Sequence, residues 1–494
     1  VPVKTGTFAF VTIMLQISAI ALYFCLALTV GIVSTRRHTS SAGFLMGNRS
    51  LNYWLTALAA HASDMSNWLF MGYPAVIFLS GVFGSWVAIG LTLCMFLNWQ
   101  YIAPKIRGIT EKTQSLTLSS FFEKRLQDRS GALRMVSGGI CFFFYTIYIA
   151  AGLTGLGILG ESLFGISYKV GIFSGIAIVV GYVLVGGFVT LAWLDLFQGL
   201  FLMLVIIFVP LYVMQGLGGF SEILETLQAS SHPLSLFPDF SSATLLTILS
   251  VSLGWGLGYF GQPHIVTKFM GIRSVDEISK SKRVGMAWMI CSLAAATLVG
   301  LVGFCYFPFG LANPETVFIE MVRRTFSPFF IGLILCAIIA AIINVMSSQL
   351  LVLSSIVSED FYRKIFHKKA SEKKLLLVSR LGIVGASLVA LAIASGGFSS
   401  IFTLVEYAWA GLGASFGPLL LYLLYSKKAT KAGAWTGMIS GGCLAAAWPL
   451  IDPLLPISLH PLFPAFIVSL FLNWAVTQLT SYSSTEADSV QEWT

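Results

Sequence analysis

Ala59-Ala60-His61-Ala62-Ser63-Asp64-Met65-Ser66-Asn67-Trp68 places a carboxylate and two serines in the middle of a long apolar segment. A charged group at bilayer depth is costly and marks a functional site by default. The surroundings confirm the depth: 56% of the 494 residues are hydrophobic, 10% are charged, and mean hydropathy is +0.85. A helix needs roughly 20 apolar residues to cross a hydrocarbon core of about 30 Å, and runs of that length recur along the whole chain. The fold class expected is an all-α polytopic membrane protein, with no soluble domain left over.

Thirteen spans are expected, at about 7–34, 52–78, 84–104, 134–160, 170–190, 193–216, 243–271, 285–310, 328–357, 375–396, 400–426, 432–450 and 459–480. The boundary between the fifth and sixth rests on the corner Leu191-Ala192-Trp193-Leu194-Asp195. Basic residues collect on the cytoplasmic side of a membrane protein. With the N-terminus outside and the C-terminus cytoplasmic, 25 of the 29 fall in inner loops, Arg49, Lys268 and Arg363 among them, leaving Lys4, Lys169, Arg323 and Arg324 outside. The net charge of +8 then reflects topology and calls for no nucleic-acid partner. The first apolar stretch reads as a permanent helix. All seven cysteines lie inside spans without metal spacing, as small apolar fillers.

The second and seventh spans are the irregular ones. In the seventh, Ser252 to His264 holds four glycines and a proline within ten residues (254 to 263), which weakens regular helix. Non-helical backbone at that depth persists only inside protein or against a watery cavity. Counted from the second span, the interrupted helices are the first and sixth of a ten-helix unit, and breaks at matching positions of two halves point to a transport site.

The residues that carry a family resemblance are Asn48-Arg49-Ser50-Leu51, Ala62 to Ser66, Gly90-Leu91-Thr92-Leu93, Phe144 to Ala150, Trp255 to His264 and Ala408-Trp409-Ala410-Gly411. Through them the chain resembles the sodium/solute symporters, and among these the bacterial sodium/proline symporters. The resemblance implies a leucine-transporter-like fold with a 5+5 inverted-repeat core (about 52–216 and 243–426), extra helices at 7–34, 432–450 and 459–480, and a cytoplasmic tail at 481–494, all one transporter domain in a bacterial inner membrane. It implies cation-coupled import of L-proline by alternating access, with no enzymatic activity, no cofactor and no obligate protein partner.

By the same resemblance Ala62, Met65 and Ala341 offer carbonyls to sodium, Asp64 is the essential carboxylate, and Ser66, Tyr148, Trp255, Tyr259 and Pro263 line the substrate pocket. Trp255 and Tyr259, four apart, share a helix face where the helix is intact, and their flat bodies with polar tips suit a small ring-bearing zwitterion. Ser66 also reads as a helix-packing hydroxyl, and Tyr148 as ordinary bundle packing. Asp195 matches a carboxylate tied to ion traffic or structure, and Arg49 is an entrance residue or a snorkelled anchor.

The ninth span departs from the family. Its hydroxyl pair falls on Asn344 and Val345; Asn344 offers an amide oxygen, whereas Val345 offers nothing to a hard cation. Sodium is the coupling ion the resemblance implies; the departure at Val345 opens the alternative of weak sodium dependence or of proton coupling, with Asp64 titrating. Glu406, about six residues inside the eleventh span, is a second proton-linked candidate or a solvated interfacial carboxylate.

Other classes fit poorly. A channel needs a continuous polar ring, and the in-span charges here are isolated. No phosphate-binding loop or catalytic constellation appears, and the tail, with Glu486, Asp488 and Glu492, reads as a solvated end.

Overall fold

The structure is a computed structural model and describes residues 3–34, 41–230, 234–397 and 400–481. Arg36, Arg37 and the tail carboxylates lie outside these residues. Helices dominate, and among the described residues β-pairing is confined to one bridge, Leu51 with Ile272. Eleven helices are long and apolar enough to cross a membrane, and Tyr168–Leu184 is a shorter apolar one.

Two continuous stretches hold more than one crossing. Trp68–Lys112 is 45 residues, about 68 Å if straight, but it is interrupted after Tyr73–Ser80 by Gly81 at φ 62°. Gly84 then packs back on Val76 and Ile77 before Trp86–Leu97 begins. Tyr168–Gly216 is likewise broken inside, at Gly187 (φ 66°, ψ 176°). Gln198 Nε2 lies 3.5 Å from Tyr182 Oη, although 16 residues of straight helix would separate them by about 24 Å. The chain therefore folds back at Gly187. The corner expected at Leu191 to Asp195 is helical instead, because only a residue without Cβ takes this positive φ without strain.

Polar residues at the span ends fix where helices start. Asn52, Ser241, Ser400 and Thr430 each accept a backbone N–H at the first turn of Tyr53–Ala62, Ser242–Leu257, Ile401–Tyr425 and Lys431–Ile451, a cap worth about 1 kcal/mol. Glu315, from the loop before the ninth span, adds its carboxylate to the N–H groups of Ile401 and Phe402.

The helix contacts repeat in exchanged form. The fourth span (Ala132–Phe164) packs on the eleventh (Ile401–Tyr425), with Phe144 against Gly411 and Tyr407. The ninth (Pro328–Ser355) packs on the sixth, Cys336 and Ala340 meeting Phe197 and Phe201. Third member of one half thus meets fifth member of the other, twice. The third span likewise touches the seventh at Gly90 and Gly256, and the eighth (Ile278–Tyr306) touches the second at Gly300 and Ile77. Reciprocal contacts of this kind are what a two-fold relation between five-helix halves requires, and an odd number of spans per half inverts one against the other. Val3–Ser34 packs on the sixth and ninth spans, and the last two helices, Lys431–Ile451 and Leu462–Ser481, pack on each other and on the eleventh.

Close approach at the centre depends on Gly258, where any Cβ would run into the Trp409 indole. Gly258→Ala is expected to destabilise the purified protein by about 1–3 kcal/mol through overpacking. Gly139→Ala, on the fourth span with no atom near its missing Cβ, is expected to be neutral or stabilising by up to about 1 kcal/mol. Thermal unfolding of the two variants in detergent checks the contrast.

Candidate functional site

The second span stops at Ala62 and resumes in a wide turn, Trp68–Gly72, that leads into Tyr73–Ser80. Between them the N–H groups of Asp64 and Met65 both donate to His61 O, that of Ser66 to Asp64 O, and that of Leu69 to Ser66 O. These bonds bypass the carbonyls of Ala62 and Met65, the pair expected to face a cation. The seventh span breaks opposite. Ser242–Leu257 tightens into Gly258–Gly261, Gln262 is extended, and Pro263 opens the second arm, Pro263–Gly271.

One side-chain bond joins the two breaks. Tyr259 Oη donates to Asp64 Oδ2 at 2.5 Å, while Asp64 Oδ1 is buried without a partner. Asp64 is 1% exposed and no basic residue pairs with it among the ion pairs of the described residues, so it is not a structural ion-pair carboxylate. Tyr148 from the fourth span packs against His264 of the seventh span's second arm, and its hydroxyl is also buried and unpartnered. Two buried oxygens without protein partners leave unmet hydrogen-bonding capacity that a ligand or ion would satisfy.

Aromatic rings close the region on one side. Trp255 stacks on Trp68 (centroids 6.2 Å), tilts against Phe402 (5.0 Å) and meets the edge of His460 (5.2 Å). Trp409 lies against Tyr259 at 5.2 Å and donates its indole N–H to Trp255 O at 2.8 Å. Gln262 Nε2 donates to Trp409 O, and Asn98 Nδ2 to Tyr259 O, so the broken backbone is held by side chains. Ser66 is buried and its Oγ is 3.5 Å from the N–H of Trp68. Pro263 is buried at the start of its arm, and Tyr148 packs at right angles to His264.

Ala341, Asn344 and Val345 are all buried on the ninth span. Neither amide atom of Asn344 has a hydrogen-bond partner, nor do the hydroxyls of Ser347 and Ser348. Val345, which brings no oxygen, thus has unpartnered side-chain oxygens near it on the same helix.

The remaining sequence candidates lie elsewhere. Arg49 is not a snorkelled anchor: its guanidinium reaches Met270 O (2.8 Å), Thr110 O (2.8 Å) and Ser115 O (2.9 Å), tying together three chain segments at the basic end. Burial, then the neighbouring Arg107 charge, push that guanidinium down to about 10, so it stays protonated at neutral pH. Glu406 lies toward the other end, beside His460. Asp195 pairs with Lys268 at 2.8 Å, both side chains 3% exposed. Lys268 was counted with the inner loops, yet it is buried in the seventh span's second arm; its position inside the 243–271 run was the signal.

From the basic end a cavity of about 350 Å³ opens between Thr117, Lys124, Arg134, Glu359 and Lys364. Leu116 also borders a narrower crevice lined by His264, Thr267, Lys268 and Ser348.

Comparison with known proteins places this geometry. The profile described as "Sodium:solute symporter family" matches residues 44–441. The chain is 40% identical over 461 residues to the high-affinity proline transporter PutP of Bacillus subtilis (strain 168), covering 92% of this chain and 96% of that one. It is 38% identical over 474 residues to the sodium/proline symporter of Staphylococcus aureus (strain JH9), covering 93% and 92%. The solved structure of a Na+-coupled sialic acid symporter, substrate-bound and outward-open, superposes with TM-score 0.81 at 19% identity, over 95% of this chain and 98% of that one. The fold is the leucine-transporter-like inverted repeat.

The Asp195–Lys268 pair allows a direct test. Removing either partner leaves a buried charge alone, so Asp195→Asn or Lys268→Met is expected to destabilise by about 3–5 kcal/mol, whereas the double variant recovers most of the loss. Thermal midpoints of the four proteins in detergent measure the coupling.

Proposed function

The chain belongs to the sodium:solute symporter family, and on that premise we propose that it imports L-proline by cation-coupled symport through a bacterial plasma membrane. The observation that carries the reading is the junction of the two helix breaks, where Asp64 Oδ1 and Tyr148 Oη are buried without partners beside a wall of Trp255 and Tyr259. A proline-sized zwitterion fits such a place, with its apolar ring against the indole and its charged groups at the exposed backbone dipoles of the breaks.

In this reading the basic end faces the cytoplasm, with the N-terminus outside and the C-terminus inside. The crevice from Leu116 to His264 and Ser348 is then the inward path, and the stack of Trp68, Trp255 and Phe402 closes the outward one. Alternating access exchanges which side is closed. One cation moving through 100 mV releases about 2.3 kcal/mol, enough for roughly 50-fold accumulation of solute.

Sodium is the coupling ion this reading assigns, held by the carbonyls of Ala62, Met65 and Ala341 and the amide oxygen of Asn344, with Asp64 as the counter-charge. The unpartnered Asn344 amide supports that assignment. Val345 favours a second reading, in which the site is one oxygen short for sodium and a proton on Asp64 provides the coupling.

Proline uptake into proteoliposomes, with sodium gradient, proton gradient and voltage imposed separately, tests both. Sodium-driven uptake supports the first reading and proton-driven uptake the second; no uptake under any gradient refutes proline as substrate. If sodium couples, Val345→Thr restores an oxygen ligand and is expected to raise apparent sodium affinity by about tenfold, or about 1.4 kcal/mol, read from uptake against sodium concentration.

A further inference from the structure

His460 belongs to the lead-in of the thirteenth span, outside the ten-helix core, yet its ring is 2% exposed and reaches the rim of the aromatic wall. Its backbone N–H donates to Ser250 Oγ at 2.8 Å, and its ring fills the space left by Gly254, where a Cβ would collide with it. Ser250, Gly254 and Trp255 all belong to the first arm of the seventh span, so the lead-in grips that arm just above the break.

The grip is rigid because the loop before it is tied down. Asp452 accepts from Ser458 Oγ and from the N–H of Leu459, and the Trp448 indole donates to Leu459 O at 2.9 Å. Hydrogen bonding also fixes which ring nitrogen carries the proton. The N–H of Leu462 donates to His460 Nδ1 at 3.2 Å, making Nδ1 an acceptor. In the neutral ring the proton then belongs on Nε2, which faces Glu406 Oε1 at 3.5 Å without forming a hydrogen bond. Glu406 comes from the eleventh span, the helix that also supplies Phe402 and Trp409 to the Trp255 neighbourhood. Asp452 is the other charged group acting on Glu406.

We propose that His460, held by Ser250 and Leu462 and faced by Glu406, is a positioning residue for Trp255 and so sets the affinity of the solute site from outside the core. The inference rests on the assignment of Trp255 to the proline pocket. It gives Glu406, half-buried in the eleventh span, a partner and a task separate from ion coupling. It also gives the two helices after the core a role in recognition: their connecting loop carries the residue that touches the pocket wall.

The test separates the two ring nitrogens. His460→Asn keeps an acceptor for the Leu462 N–H but cannot reach Glu406 or fill the space beside Trp255. His460→Gln restores an N–H toward Glu406 and much of the lost volume. In proteoliposomes, His460→Asn is expected to raise the KM for proline about fivefold, with maximal uptake rate within about twofold of the parent, and His460→Gln to return KM to within about twofold; fivefold corresponds to about 1 kcal/mol. Glu406→Leu is expected to raise KM as His460→Asn does.

An unchanged KM in His460→Asn, in a protein where Trp255→Phe does shift KM, overturns the inference and leaves the proline reading standing. A fall in maximal rate and thermal midpoint that is equal in His460→Asn and His460→Gln, without a KM change, also overturns it, because the histidine then serves only to hold the loop. Parent protein that takes up no proline removes the reading on which the inference rests, and the inference with it.

Discussion

The hydrogen bond from Tyr259 to Asp64 joins the two places where transmembrane backbone stops being helical. Each break frees polar groups that lipid cannot satisfy, so each must lie inside protein. Placing them face to face meets that constraint once for both. The surrounding helices serve this junction: Trp409 and Gln262 cross-bond the seventh-span break to the eleventh span, Asn98 ties it to the third, and Asn67 Nδ2 ties the second-span break to Ala151 O on the fourth. Small residues at Gly90, Gly256 and Gly258 let the backbones approach closely enough for those bonds to form.

A junction held this way is fully enclosed but not fully satisfied. Asp64 Oδ1, Tyr148 Oη and the whole Asn344 amide are buried and lack protein partners. What sets Asp64 apart is charge: Asp195 and Asp360, also buried, have Lys268 and Arg134 within ion-pair distance. Paired carboxylates hold helices together at the basic end, and the carboxylate lacking a cation is at the breaks. That contrast supports the proposed division of structural work from ligand work.

The spans and breaks were readable in the sequence because both rest on local chemistry, apolar length in the first case and a cluster of glycines, proline and polar residues in the second. Where the reading went astray, the deciding factor was a three-dimensional contact. Leu191 to Asp195 looked like a corner because it carries a charge and a tryptophan, but the turn sits at Gly187, whose positive φ only the folded chain reveals. Lys268 looked like a loop cation because its partner, Asp195, is 73 residues away. Arg49 was left between an entrance residue and an anchor because backbone carbonyls, its actual partners, have no sequence signature. His460 was invisible for a similar reason: its importance comes from the space over Gly254, contributed by a distant helix. That Val345 brings no oxygen to the ninth span was visible at once, since the side chain alone decides it.

The central claim is that the unpaired Asp64 carboxylate at the junction binds the coupling cation and thereby the solute. The most direct measurement is cation-dependent proline binding to purified protein, comparing the parent with Asp64→Leu, which fills similar space without charge. The account predicts loss of at least about 100-fold in proline affinity at saturating cation, equivalent to about 2.7 kcal/mol, and no remaining response to the cation. Binding by Asp64→Leu that matches the parent, and still rises with the cation, would contradict it.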